Sequence, residues 1–128
     1  MTRLQLPFLF LEPLIRNSWL NITLVIAVAI ANGYASARGQ VWGDWLATVL
    51  FALYAGYCAQ NFLQCREVHC AITAPGFAAA AVLMLLQSVG VAHFGYGVPW
   101  VVFAVSAGIG YCFQYAYRAR TGSIYLKQ

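Results

Sequence analysis

Four long apolar runs follow one another along this chain, and they constrain its fold more than anything else in it. They are centred on WLNITLVIAVAIANGYA, VWGDWLATVLFALYAGYCAQNFLQ, a third run from Pro75 to Phe94 and a fourth from Val98 to Tyr117. A bilayer core about 30 Å thick is crossed by roughly 20 apolar helical residues, so each run is long enough to span. Backbone polar groups have no water to bond to in lipid, so the runs are expected to be helices. The predicted spans are 19–35, 41–64, 75–94 and 98–117.

Composition agrees. Of the 128 residues, 62% are hydrophobic and 8% charged. A soluble domain carries about 25% charged residues, and a fold this small leaves much of its surface exposed. The expected class is therefore an all-α integral membrane protein: a compact bundle of four transmembrane helices, with the lipid bilayer as solvent. The bundle is placed at 17–118, after an N-terminal segment 1–16 and before a cytoplasmic tail 119–128. From Leu4 to Ile15 the N-terminal segment is expected at the membrane interface, with Phe8, Phe10 and Leu11 in the headgroup boundary. The first run ends in Ala35-Ser36-Ala37, which looks like a signal-peptidase site. The long, Pro-broken basic leader before it favours a retained helix.

Charge sets the expected orientation. If the helices alternate in direction, Arg3, Arg16, Arg66, Arg118, Arg120 and Lys127 share one side and Arg38 lies on the other, near Asp44. The positive-inside rule then puts both termini and the loop near residues 61–77 in the cytoplasm, as expected for the inner (plasma) membrane of a prokaryote. The net charge of +4 forms no basic stripe interleaved with aromatics, so no nucleic-acid partner is expected. Small residues at Ala52, Gly56 and Ala59, and at Ala104, Gly108 and Cys112, mark faces where helices could approach closely. Asn21, Asn32, Gln60, Asn61, Gln87 and Gln114 are expected to make interhelical hydrogen bonds. No spanning segment is expected to bury a carboxylate, which argues against a proton-coupled pump.

The stretch NFLQCREVHCAITAPGF departs from plain membrane packing. Cys65, His69 and Cys70 lie within six residues, at the junction of the second and third runs. If the second helix continues that far, Cys65 and His69 stand at i and i+4, which lets both reach one ion. Cys70 would fold back as a third ligand. Thr73 is the expected N-cap of the third helix, with Pro75 in its first turn. Thiolates and an imidazole suit zinc, copper(I) or another thiophilic metal ion. Arg66 and the start of the third helix favour thiolate, and Glu67 could orient His69 or ligate. Cys58 is roughly 10 Å along the helix from Cys65 and matches Cys112 in depth, so those two form a possible second tier. The bland alternative is a structural turn with cysteines as small apolar packing residues. His93 is expected at the opposite interface.

The order Cys65, Arg66, His69, Cys70, Thr73, Pro75 resembles a family of short, largely uncharacterised bacterial and archaeal membrane proteins. Their pattern is close to Cys-Arg-x-x-His-Cys-x-x-Thr-Gly-Pro, and Ala74 stands where it has Gly. The resemblance covers about Cys65 to Arg120, including GYCFQYAYRAR. It implies a helical hairpin ending in basic and aromatic residues, and no activity. There is also a looser likeness to mercury-uptake membrane proteins, although their vicinal cysteine pair is absent here.

Three functions follow as expectations. The first is binding or transport of a soft metal ion at Cys65, His69 and Cys70. The second is a non-enzymatic accessory or assembly role in a larger membrane complex or homo-oligomer. The third is a thiol oxidoreductase, for which the C-x-x-C spacing is missing.

Overall fold

The computed structural model describes residues 11–126. A short helix α1 (Glu12–Arg16) precedes four long ones: α2 (Ser18–Ala37), α3 (Trp42–Cys65), α4 (Cys70–Ser88) and α5 (Gly97–Thr121). Among the described residues there is no strand, only an isolated bridge between Glu67 and Tyr125. The fold is an all-α four-helix bundle with helices long and apolar enough to cross a membrane. Most of the expected interfacial segment, with Phe8 and Phe10, lies outside the described residues, as does Lys127.

Consecutive helices pack against each other, and α3 and α4 make the most extensive contact. The core is aromatic. Phe103 of α5 stacks on Phe51 of α3 at 4.8 Å and on Phe77 of α4 at 4.4 Å between ring centres. Trp100 meets Phe51 edge-on at 4.8 Å. Such ring pairs contribute about 0.5–1.5 kcal/mol each beyond area burial. That matters here, because lipid gives helices no hydrophobic reason to associate. The outward faces are apolar: Ile22, Ile26 and Ile30 on α2, and Val101, Val105 and Ile109 on α5, are each more than half exposed. Water would not tolerate so continuous an apolar surface on a monomer, whereas a bilayer covers it.

Three expectations about packing are corrected. The small residues Ala52 and Ala59, and Ala104, Gly108 and Cys112, face outward. Nothing lies within 4 Å of a side chain built at Gly108. Close approach occurs instead at Gly110, where an added Cβ would stand 2.6 Å from Thr73 Cγ2 and 3.2 Å from the His69 carbonyl. Small residues can be counted from sequence, but the direction they face is set by the helix's rotation.

The third span is displaced. It starts at Cys70 and ends at Ser88, not at 75–94. Its first turn is tight: Cys70, Ala71 and Ile72 donate to the carbonyls of Glu67, Val68 and His69, three residues back. Thr73 is thus inside the helix, with Oγ1 donating to the His69 carbonyl at 3.1 Å, and caps nothing. Pro75 is the sixth residue of α4, past the first turn where it was expected, and it removes the N–H that would have reached the Ala71 carbonyl. The other end closes because Gly90 takes φ +75°, and the Val91 N–H then turns back to Leu86.

A buried carboxylate is present after all. Asp44, in the first turn of α3, is 7% exposed. It accepts from Asn32 Nδ2 at 2.6 Å and from Gln87 Nε2 at 3.4 Å, while Asn32 Oδ1 accepts from Trp100 Nε1 at 2.8 Å. One side chain from each long helix joins this network. Asp44 stands near the start of the second predicted span, close to Arg38, and α3, which starts at Trp42, turns it inward.

Candidate metal centre

The site is built where α3 ends. Arg66 adopts the left-handed conformation, φ 52° and ψ 39°, and its N–H closes on the Phe62 carbonyl at 2.9 Å. It is the one non-glycine residue with positive φ among those described. The helix therefore does not continue to His69, and the i, i+4 relation expected between Cys65 and His69 is not formed. The C-terminal segment fixes this turn. Val68 N–H donates to the Ile124 carbonyl and Leu126 N–H to the Arg66 carbonyl, both at 3.0 Å. Val68 is 1% exposed, so the loop folds back under the bundle rather than out into solvent.

This fold-back decides which side chains meet. Cys70 is brought beside Asn61 and Cys58 of α3. Asn61 Nδ2 lies 3.5 Å from Cys70 Sγ, and Cys58 is buried in the same core as Cys70. His69 Nε2 lies 3.4 Å from Cys70 Sγ, and Glu67 Oε2 lies 3.9 Å from it. Glu67 Oε2 is also 3.8 Å from His69 Nδ1. One donor atom from each of Glu67, His69 and Cys70 lies within 4.8 Å of the others. The imidazole stacks on Tyr111 of α5, with ring centres 4.9 Å apart and planes 15° from parallel. Gly110 allows this by letting α5 close on the start of α4.

Of the residues singled out from sequence, the structure gathers His69 and Cys70 and adds Glu67 as an equal member. Cys65 is exposed at the end of α3, outside the group. Arg66 shapes the turn by its backbone. Cys58 and Cys112 do not form a tier, because Cys112 is exposed on α5 while Cys58 is buried against Cys70. Asn61 was foreseen only as one of several polar packing residues. Here it donates to Glu67 Oε2 at 2.5 Å and aims that carboxylate at the thiol.

The electrostatics are those of a half-buried polar cluster. Burial opposes charge on His69, but its contact with Cys70 and the negative charge of Glu67 outweigh this, so its pKa rises from the ordinary 6.5. Gln114 approaches the ring from α5. His69 Nδ1 and Gln114 Oε1 are both buried without a well-formed hydrogen bond.

Such a donor set fits a metal ion. Tetrahedral zinc, with bonds of about 2.0–2.3 Å, places neighbouring ligand atoms roughly 3.3–3.8 Å apart. The thiol–imidazole and thiol–carboxylate separations, 3.4 and 3.9 Å, are close to that edge length. A histidine that ligates through Nε2 carries its proton on Nδ1, and Gln114 Oε1 is the acceptor at hand for it. No protein-family model, no curated protein and no solved structure matches this chain.

Proposed function

We propose that this chain is a multi-pass membrane protein that binds a thiophilic metal ion, and passes it on, at a site made by Glu67, His69 and Cys70. The observation that carries this reading is the convergence of a carboxylate oxygen, an imidazole nitrogen and a thiol sulfur within 4.8 Å of one another. The mixed O, N, S set favours zinc over copper(I), which prefers sulfur alone. Three protein ligands leave a fourth position for water or a donor from a delivering molecule, the arrangement of exchangeable zinc sites. Basic residues on the same side, Arg16, Arg66, Arg118 and Arg120, support a cytoplasmic site in the inner membrane of a prokaryote. Transport further requires a path, and a cavity of about 170 Å³ lined in part by Cys58, His69, Thr73 and Tyr111 adjoins the site.

The test is metal content. Purified protein in mild detergent is equilibrated with zinc, desalted and analysed for metal per chain. Near-stoichiometric zinc is expected, falling to background in Cys70→Ser and retained in Cys65→Ser. Equal metal in wild type and Cys70→Ser removes the proposal. Zinc flux into proteoliposomes then separates transport from binding alone.

A further inference from the structure

The cavity that adjoins the metal cluster is lined by Asn21 and Val25 of α2, by Ala107 and Tyr111 of α5, and by Phe77 and Phe103 toward the aromatic core. Elsewhere α2 and α5 are tied together: Trp100 Nε1 donates to Asn32 Oδ1 at 2.8 Å, and a side chain built at Gly33 would meet the Tyr96 ring at 3.6 Å. Between Asn21 and Val25, no hydrogen bond or ring contact joins these two helices among the described residues. Polar atoms on the wall are already paired within the protein. The Tyr54 hydroxyl donates to Asn21 Oδ1, and Asn21 Nδ2 donates to the Ile15 carbonyl at 3.4 Å. Thr73 Oγ1 donates to the His69 carbonyl at 3.1 Å, and His69 Nε2 lies 3.4 Å from Cys70 Sγ. What the wall leaves for an occupant is chiefly aliphatic and ring surface. An apolar cavity of about 150 Å³ stays free of water and takes up benzene. At about 170 Å³, this one holds roughly six carbons of a hydrocarbon chain. Left unfilled, its lining would lack dispersion contacts on one side.

We infer that this cavity holds part of an acyl chain of a phospholipid whose zwitterionic phosphoethanolamine head rests on Glu12 and Arg16 of α1. The apolar outer faces put the bundle in a bilayer, where acyl chains are the hydrocarbon at hand. The head-group contact follows from what stands beside the cavity. Ile15 of α1 lines it, and the next residue, Arg16, lines an open depression with Asn17, Ser18 and Trp19. Trp19 is 81% exposed, as suits a ring at head-group level. Arg16 Nη1 lies 3.9 Å from Glu12 Oε1 on an exposed face. That long contact leaves most of the five guanidinium N–H donors open to a phosphate, which arginine binds in bidentate fashion. Glu12 offers its carboxylate to an ammonium group. An acid beside the base favours a head that carries both charges over a purely anionic one. From this head the chain runs past Ile15 into the cavity, and its remaining carbons lie in the bilayer. It covers the His69 and Tyr111 surfaces that line the cavity and keeps water from that flank of the cluster. The inference does not rest on the metal reading, since the chain touches only the wall.

The test is photo-crosslinking. Metal-free protein in maltoside detergent is stripped of lipid and mixed with a phosphatidylethanolamine that carries a diazirine near the head-group end of one acyl chain. After irradiation, adducts are located by peptide mass spectrometry. Labelling is expected to saturate at one lipid per chain, with adducts on cavity residues such as Val25, Ala107 and Tyr111. Ala107→Phe should lower those adducts by about tenfold or more, because its ring takes up the same volume. Arg16→Glu should lower them by about fivefold, since a charged hydrogen bond to phosphate is lost. Unlabelled phosphatidylethanolamine should displace the probe better than phosphatidylglycerol or diacylglycerol does. Adducts spread without saturation over the outward-facing Ile22, Ile26, Val101 and Val105 overturn the inference, as does equal displacement by all three lipids. Should Ala107→Phe fail to fold, saturation and the adduct map of the wild-type chain decide the question alone. Zinc content is measured on a separate portion, so loss of one reading leaves the other intact.

Discussion

Asn61 Nδ2 donates to Glu67 Oε2 at 2.5 Å across the end of α3, holding the carboxylate on the side of the turn where Cys70 lies. Groups that orient metal ligands without ligating typically matter by 10–100-fold in affinity. Asn61→Ala is therefore expected to weaken zinc binding by about tenfold or more with little change in helix content. Competition with a zinc chelator measures it. Asn61→Leu, which also cannot donate, should do the same. Affinity unchanged in both would show that Glu67 is not positioned by Asn61.

Gly110 is where α5 rests on the first turn of α4. A methyl group there meets Thr73 Cγ2 at 2.6 Å and the His69 carbonyl at 3.2 Å, and one of these is backbone. Gly110→Ala is expected to cost about 1–3 kcal/mol, as overpacking does, and Gly110→Leu more. Thermal melting in detergent measures the loss. The Gly108→Ala control, with open space around it, should melt like wild type.

The Asp44 network gives a third expectation. Asn32→Ala leaves both the Asp44 carboxylate and the Trp100 indole N–H without their short bonds. Interhelical hydrogen bonds in membranes contribute about 0.6–2 kcal/mol each, and leaving a buried partner unpaired adds to the cost. Asn32→Ala should be destabilised by about 2 kcal/mol or more. Asp44→Asn, which keeps an acceptor oxygen, should lose less. The comparison is made by denaturant titration in mixed micelles.

Membrane orientation is checked with the protein's own cysteines. Cys65 is exposed at the end of α3, whereas Cys112 is exposed on the apolar flank of α5 and Cys58 and Cys70 are buried. A membrane-impermeant maleimide should label Cys65 in inverted vesicles and not in right-side-out ones. The reverse pattern would place the loop outside the cell and turn the whole assignment over.

The helices were legible in the sequence because hydropathy over about 20 residues is a sum, insensitive to any one side chain. Where each helix stopped depended on single residues. The third run seemed to continue past Ser88 because Val89, Val91 and Phe94 are apolar, and the left-handed Gly90 ends it regardless. The candidate site was half legible. His69 and Cys70 follow from composition, but Cys65 was favoured by extending a helical wheel through Arg66. Arginine gives no signal that it will take a left-handed conformation, and the contacts that hold it there come from Ile124 and Leu126, far along the chain. Cys58 and Cys112 match in depth along their helices, but depth does not say which way each helix is turned. The expectation that no span buries a carboxylate fails at Asp44, because a hydropathy sum does not reveal which helix face a residue takes.

The pairing of residues 66 and 68 with 124 and 126 also sets an order of events during synthesis. The α3–α4 hairpin leaves the ribosome and can enter the bilayer while its connecting turn still lacks the segment that pairs with it. Only when residues 124–126 have emerged, after all four long helices, can they clasp that turn. A chain cut before Ile124 would therefore keep its four long helices and lose the backbone contacts that hold the turn at Arg66 and Val68.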